Sequence, residues 1–293
     1  MSEKVSRIAM ANPPKVKVGK IISRIATFLT VLFLITYLII IGYPLLWLLF
    51  SSFKDTASIY GDTWGLPQVW NFSNFTDAWE LGISNYFFNS VLVTTLTCFI
   101  TVIFSAFAAF GLARFNFKGK TLFLILIAAG LMFSPQVSLI PLYTLTQSMG
   151  IYNTYWALIL PYVAFQIPLT VLLFRAHFLG IDKEYEESAY LDGCTSVGFL
   201  FRIVLPLSLP IVMTATVLIS FFAWNEFLFS LVLLDDDSLK TIPTGLLAFR
   251  GAVSTNWGVM LAGLTISAAP IILLFLFTQK YFIRGLAEGG VKG

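Results

Sequence analysis

Apolar residues run almost unbroken through most of this chain, and polar residues gather in a few short intervals between the runs. The runs cover residues 25–50, 89–112, 121–141, 155–179, 207–234 and 257–280. Each is near or above the roughly 20 residues a helix needs to cross a bilayer. A membrane-spanning β-strand would instead alternate apolar and polar positions over about ten residues. The pattern therefore predicts an all-α, polytopic membrane bundle of six transmembrane helices. It divides the chain into an N-terminal tail (1–24), a six-span domain (25–280) and a C-terminal tail (281–293). The first run is too long for the apolar core of a signal peptide, and no small-residue cleavage site follows it, so it is read as retained.

Composition agrees with the pattern. Hydrophobic residues make up 58% of the 293, charged residues only 11%. A soluble domain carries about 25% charged residues, so this chain lacks the polar surface to face water on all sides. The placement of Lys and Arg predicts orientation. Fifteen of the 18 fall in the N-terminal tail, the second–third and fourth–fifth connections and the C-terminal tail; the exceptions are Lys54, Lys240 and Arg250. Both termini are expected in the cytoplasm. The formal charge of +3 then reports topology and gives no reason to expect nucleic acid as a partner. Cys98 and Cys194 fall in a span and in a cytoplasmic connection, where a disulfide is not expected, and no residues carry metal-ligand spacing.

One connection has more chemistry than a linker needs. Residues 182–206 place Glu184, Glu186, Glu187 and Asp192 among small residues and then close on prolines. Asp182 is placed to cap a helix running to Asp192, and Gly193 to stop it. Thr195 or Ser196 is placed to cap a second short helix with Phe199, Leu200 and Ile203 on an apolar stripe. Pro206 sits near the first-turn position it favours in the next span. The expected shape is a stiff, projecting knob with a glycine elbow. Small residues at Ser188, Ala189 and Gly193 would let a partner approach, and carboxylates would offer charge-assisted hydrogen bonds to a partner's arginine.

The spacing Glu187-Ser188-Ala189, three residues, Gly193, nine residues, Ile203-Val204-Leu205-Pro206 resembles the EAA motif, Glu-Ala-Ala-x3-Gly-x9-Ile-x-Leu-Pro. That motif marks the membrane subunits of binding-protein-dependent ATP-binding-cassette importers. Ser188 for Ala is the one departure at the fixed positions. The stretches Pro44-Leu45-Leu46-Trp47, Ser52-Phe53-Lys54, Trp224-Asn225-Glu226-Phe227 and Tyr281-Phe282-Ile283-Arg284-Gly285-Leu286 resemble the maltose-type sugar permease branch. The resemblance implies that the segment is a cytoplasmic coupling helix between spans four and five, docked in a cleft of a cytosolic ATPase. Glu187, Ser188, Ala189, Asp192 and Gly193 would form the joint, with Glu187 contacting the ATPase and Gly193 giving the bend. It also implies a bacterial or archaeal cytoplasmic membrane protein. Its partners would be a homologous permease, two cytosolic ATPase subunits, an extracytoplasmic solute-binding protein and membrane lipid. ATP and Mg would be bound by the ATPases, with no cofactor and no covalent chemistry in this chain. The C-terminal tail would reach the ATPases through Glu288, Gly289, Gly290 and Lys292, although its glycines argue against a packed helix.

Other stretches carry residue types with chemistry of their own. Gly119-Lys120-Thr121 imitates the end of a phosphate-binding loop, but Arg114 stands where that loop needs glycine. Asp235-Asp236-Asp237 admits a membrane prenyltransferase as a rival class, against which the cluster is single. A secondary transporter would have no use for the knob. Asn71 and Asn74 open two glycosylation sequons in the long 51–88 connection. His177, the single histidine, lies near a span end beside Arg175, an interfacial position. Glu226 falls inside the fifth run, where a carboxylate is costly and faces a cavity or a partner. With Trp224, Asn225 and Gln166 it supplies the carboxylate, amide and aromatic groups that sugar hydroxyls and ring edges need; hydrogen bonding between helices is the alternative. The resemblance points to a sugar, with an oligosaccharide expected and another solute the alternative.

Overall fold

The computed structural model describes residues 15–253 and 256–290, with side chains for residues 23–253 and 256–280. Helices follow one another with no strand among the described residues. They are α1 (Lys15–Ser51), α2 (Thr56–Gly61), α3 (Ser73–Ala78), α4 (Ser84–Arg114), α5 (Lys120–Gly130), α6 (Leu139–Ser148), α7 (Trp156–Leu179), α8 (Lys183–Leu191), α9 (Ser196–Phe199), α10 (Leu205–Leu207), α11 (Leu209–Asn225), α12 (Leu228–Leu233), α13 (Ile242–Ala252) and α14 (Trp257–Gly290). A π-helical turn at Trp79–Ile83 joins α3 to α4, and another at Leu200–Val204 joins α9 to α10.

Four segments are long and apolar enough to cross a membrane: Ser23–Ser51, Ser73–Arg114, Trp156–Leu179 and Trp257–Lys280. They match the first, second, fourth and sixth runs. The fifth run, 207–234, is α11 and α12 with a break at Glu226, and at its start α11 meets the preceding segment Ser196–Leu207 at 82°. Pro206 and Pro210 flank that bend; each lacks the backbone N–H that would carry a helix through Ser208. The third run departs further from expectation. Its helix ends at Gly130, and residues 131–138 are non-helical before α6 begins. Pro135 removes a donor and restricts Ser134, so the chain leaves the helix there. At 11 residues, α5 reaches about 17 Å, short of a hydrocarbon core of about 30 Å. The predicted run of 121–141 is thus the short α5, a break and the first residues of α6, which extends past it to Ser148.

α4 and α7 form the spine; α11 packs on both, and α14 packs on α11. The buried face of α4 carries Ser90, Thr94, Thr97, Thr101 and Ser105, small side chains that let helix backbones pack closely. Phe110, Phe174, Phe178, Phe199 and Leu200 fill the core at one end. Leu158, Tyr162, Phe229 and Leu233 form a second cluster, with Val93 and Ala223. By contrast, the apolar part of α1 is left uncovered by the described residues.

The 51–88 connection folds into a collar. Asn74 is buried, and its amide donates to the carbonyls of Ser52 and Lys54, both at 2.9 Å. Lys54 is 3% exposed, and its ammonium donates to the Asp62 carbonyl at 2.7 Å. The Asn74 amide is thus committed to the fold, so its sequon offers no free side chain for a glycan. At the other end of the chain α14 runs on as helix through Gly290. The glycines of the tail do not stop it, because extending an existing helix adds a hydrogen bond per residue against about 1 kcal/mol per glycine.

Candidate functional site

The knob forms as its local chemistry dictates. Asp182 precedes α8 in extended conformation, although its side chain makes no capping bond. Gly193 takes φ +79, a left-handed conformation that closes the helix. Its N–H donates to the Tyr190 carbonyl at 3.1 Å, and the Cys194 N–H to the Ala189 carbonyl at 2.9 Å. The Thr195 hydroxyl then caps α9 by accepting from the Gly198 N–H at 3.1 Å. Tyr190 ties the two helices: its hydroxyl donates to Glu186 and lies 3.1 Å from the Ser196 hydroxyl.

One face of the knob is glued to the bundle. Ala189, Phe199, Leu200 and Val204 are buried with Phe110, Phe174 and Phe178 of α4 and α7. This corrects one expectation: Ala189 does not offer itself to a partner, because its small side chain lets α8 lie against its own bundle. Beyond this packed side, Glu187, Ser188, Asp192 and Gly193 are exposed. Leu191 is exposed with them, at 89%. Sequence reasoning passed over it, although an apolar side chain two positions from the buried Ala189, on a polar helix, points away from the core.

A second feature was missed. Arg114, the last residue of α4, is 5% exposed. Its guanidinium donates to the Ile181 carbonyl at 2.9 Å and lies 3.5 Å from the Glu186 carboxylate. Arg175 of α7 reaches back to the Leu112 carbonyl of α4 at 3.4 Å. Lys120 bends onto Phe115 and Asn116, so the turn that imitates a phosphate loop is closed by its own lysine.

The residues expected to line a path are not brought together as a group. Trp224 is buried; its indole N–H donates to the Ser267 carbonyl at 3.1 Å and its ring meets Phe87 edge-on. That ring face is occupied by protein. Glu226 does not sit inside a helix, as expected, but at a break between α11 and α12. Its carboxylate accepts from Tyr162, Leu228 and Phe229, all at 2.9 Å. It caps α12, where the freed donors need an acceptor. Asn225 is exposed, with its amide donating to the Phe221 carbonyl at 2.8 Å. Gln166 is half-buried one turn from Tyr162 on α7.

The acidic triplet builds a turn. Asp236 accepts from the Ser238 N–H at 2.8 Å, and the backbone and hydroxyl bonds from Ser238 hold its carboxyl below the usual carboxylate range. Asp237 pairs with Lys240. His177 lies in the last turn of α7. Among the described residues no group of three His, Cys, Asp or Glu side chains is placed to hold a metal ion.

The chain is a multi-pass helical bundle with a braced projection between two spans, and comparison makes its class specific. Residues 101–288 match the family described as binding-protein-dependent transport system inner membrane component. The chain belongs to that family. It is 60% identical over 261 residues to the probable ABC transporter permease protein YurM of Bacillus subtilis, covering 89% of this chain and 87% of the relative. It is 34% identical over 270 residues to the arabinooligosaccharides transport system permease protein AraQ of the same species, covering 90% and 95%. A chain in the crystal structure of a bacterial ABC transporter involved in the import of the acidic polysaccharide alginate superposes with a TM-score of 0.76. That match covers 92% of this chain and 100% of the other at 22% identity, a likeness of fold. Family membership makes the protein a transport subunit, with ATP hydrolysis belonging to separate subunits.

Proposed function

We propose that this chain is the permease subunit of an ATP-driven sugar importer and that residues 182–206 are its coupling joint. It pairs with a homologous permease, two cytosolic ATPase subunits and an extracytoplasmic solute-binding protein. Both termini lie in the cytoplasm and six passes cross the membrane, α5–α6 and α11–α12 counting as one pass each. The reading is carried by the exposed face of Glu187, Ser188, Leu191 and Asp192 around the Gly193 elbow, whose back is packed on the ends of α4 and α7. A projection so braced transmits a push into the two helices of the spine. ATP-driven closure of the ATPases moves the knob, and the spans rock between inward-open and outward-open states. Gly193 supplies the bend, and Glu187 meets a cationic group of the ATPase.

A sugar is favoured as solute because the relatives include a permease named for arabinooligosaccharides. Asn225 is the path residue the geometry leaves most available. The tail residues Glu288, Gly289 and Gly290 continue α14 toward the ATPases; Lys292 lies outside the described residues. The test is uptake of labelled oligosaccharide into vesicles holding the full complex. Uptake that requires the ATPase subunits and ATP is expected. Uptake by the permeases alone, or uptake of a non-sugar solute in preference, would contradict the reading.

A further inference from the structure

We infer that Arg114 is a positioning residue for energy coupling: it latches the root of the knob to the end of α4, so that the knob and the spine move as one body. The inference rests on the reading of residues 182–206 as the ATPase joint.

α4 and α7 end side by side at the knob. Arg175, in the last turns of α7, donates to the Leu112 carbonyl of α4 at 3.4 Å. In return Arg114, the last residue of α4, donates to the Ile181 carbonyl at 2.9 Å. Ile181 lies in the short link between α7 and α8, where the chain leaves the bundle. The two arginines thus clasp the helices in opposite directions. Each places a cation at a helix C-terminus, where the backbone carbonyls leave partial negative charge. Arg114 does one thing more. Its second terminal nitrogen lies 3.5 Å from Glu186, one turn into α8, and the same guanidinium therefore holds both the link and the first turn of the knob.

Burial makes this contact costly to lose. Arg114 is 5% exposed and its Glu186 partner 17%. Removing one member of a buried pair leaves the other short of its counter-charge. Glu186 also accepts from the Tyr190 hydroxyl, so the latch extends through Tyr190 to Ser196 on α9. A push on the exposed face of α8 reaches α7 along the covalent chain. It reaches α4 through this guanidinium and through the packing of Ala189, Phe199 and Leu200. A planar fork can span a carbonyl and a carboxylate together; a lysine ammonium cannot hold both in fixed geometry.

The experiment uses the complete complex in proteoliposomes, with solute-loaded binding protein, and reads solute taken up per ATP hydrolysed. Arg114→Ala is expected to keep the ATPase subunits through purification while the ratio falls at least about fivefold, the lower end of ordinary coupling effects. Arg114→Lys is expected to lie between wild type and Ala. Glu187→Lys, run alongside, is expected to lose the ATPase altogether. An unchanged ratio in Arg114→Ala would overturn the inference; if that variant fails to insert, an unchanged ratio in Arg114→Lys would do the same. Loss of the ATPase by Arg114→Ala to the extent seen with Glu187→Lys would also overturn it, since the arginine would then only hold the knob's shape. In each case a defective Glu187→Lys keeps the joint itself standing. Normal co-purification by Glu187→Lys would instead remove the reading beneath the inference.

Discussion

Gly193 offers a quantitative test of how the knob is built. Its φ of +79 lies in the left-handed region, and a Cβ built there would meet nothing within 4 Å. Substitution therefore carries no steric clash, and the cost is that of the backbone alone. Holding an ordinary L-residue left-handed costs roughly 1–2 kcal/mol, a factor of about 5–30 in the ratio of closed to open knobs. Asn visits this region routinely through its short polar side chain, while a β-branched residue there is an outlier. The expected order is Gly, then Asn, then Ala, then Val. The assay is the affinity of the purified ATPase for each variant in nanodiscs, with hydrogen exchange at the Cys194 amide as a local reporter. Ala weakens affinity by up to about 5–30-fold and Asn by less. If glycine were needed because a partner backbone comes close, damage would follow side-chain size and Asn would be worse than Ala. That order, or equal behaviour of all three, would refute the reasoning.

Three further outcomes are expected. Asn74→Leu leaves the carbonyls of Ser52 and Lys54 without their donor and should destabilise the collar by about 1–3 kcal/mol, read as lower thermal stability in detergent. Gly258→Ala should be at least as damaging, because its Cβ would stand 2.2 Å from the Lys54 carbonyl oxygen, a backbone atom that cannot swing aside; overpacking of this kind costs about 1–3 kcal/mol. Glu226→Leu removes the acceptor for Leu228, Phe229 and Tyr162 and should lower stability, whereas Asn225→Ala should leave stability unchanged and alter solute uptake. Equal thermal stability of the two would contradict the assignment of Glu226 to capping.

The class of fold was legible because bilayer composition and continuous apolar runs leave few alternatives, and the helix-turn-helix shape of residues 182–206 because Gly193, Thr195 and Pro206 each act through local backbone chemistry. What was missed depends on contacts distant in sequence. Arg114 reads as one more basic residue of a loop; only folding brings it to Ile181 and Glu186, which lie 67 and 72 positions further along. Glu226 and Trp224 carry the residue types of a sugar site, yet their partners Tyr162 and Ser267 come from other helices and turn them to structure. The break after Gly130 was visible in Pro135 but was outweighed by an apolar run long enough to span.

The central claim is that the open face of α8 touches the ATPase. With Cys98 and Cys194 replaced by serine, a single cysteine is placed at Leu191, which is 89% exposed, and at Ala189, which faces the bundle. Each complex is treated with a short thiol-to-amine cross-linker in the presence and absence of ATP. The account predicts a covalent adduct between the Leu191→Cys permease and the ATPase subunit, changing in yield with ATP, and none from Ala189→Cys. No adduct from Leu191→Cys in a complex that still couples uptake to hydrolysis would contradict it.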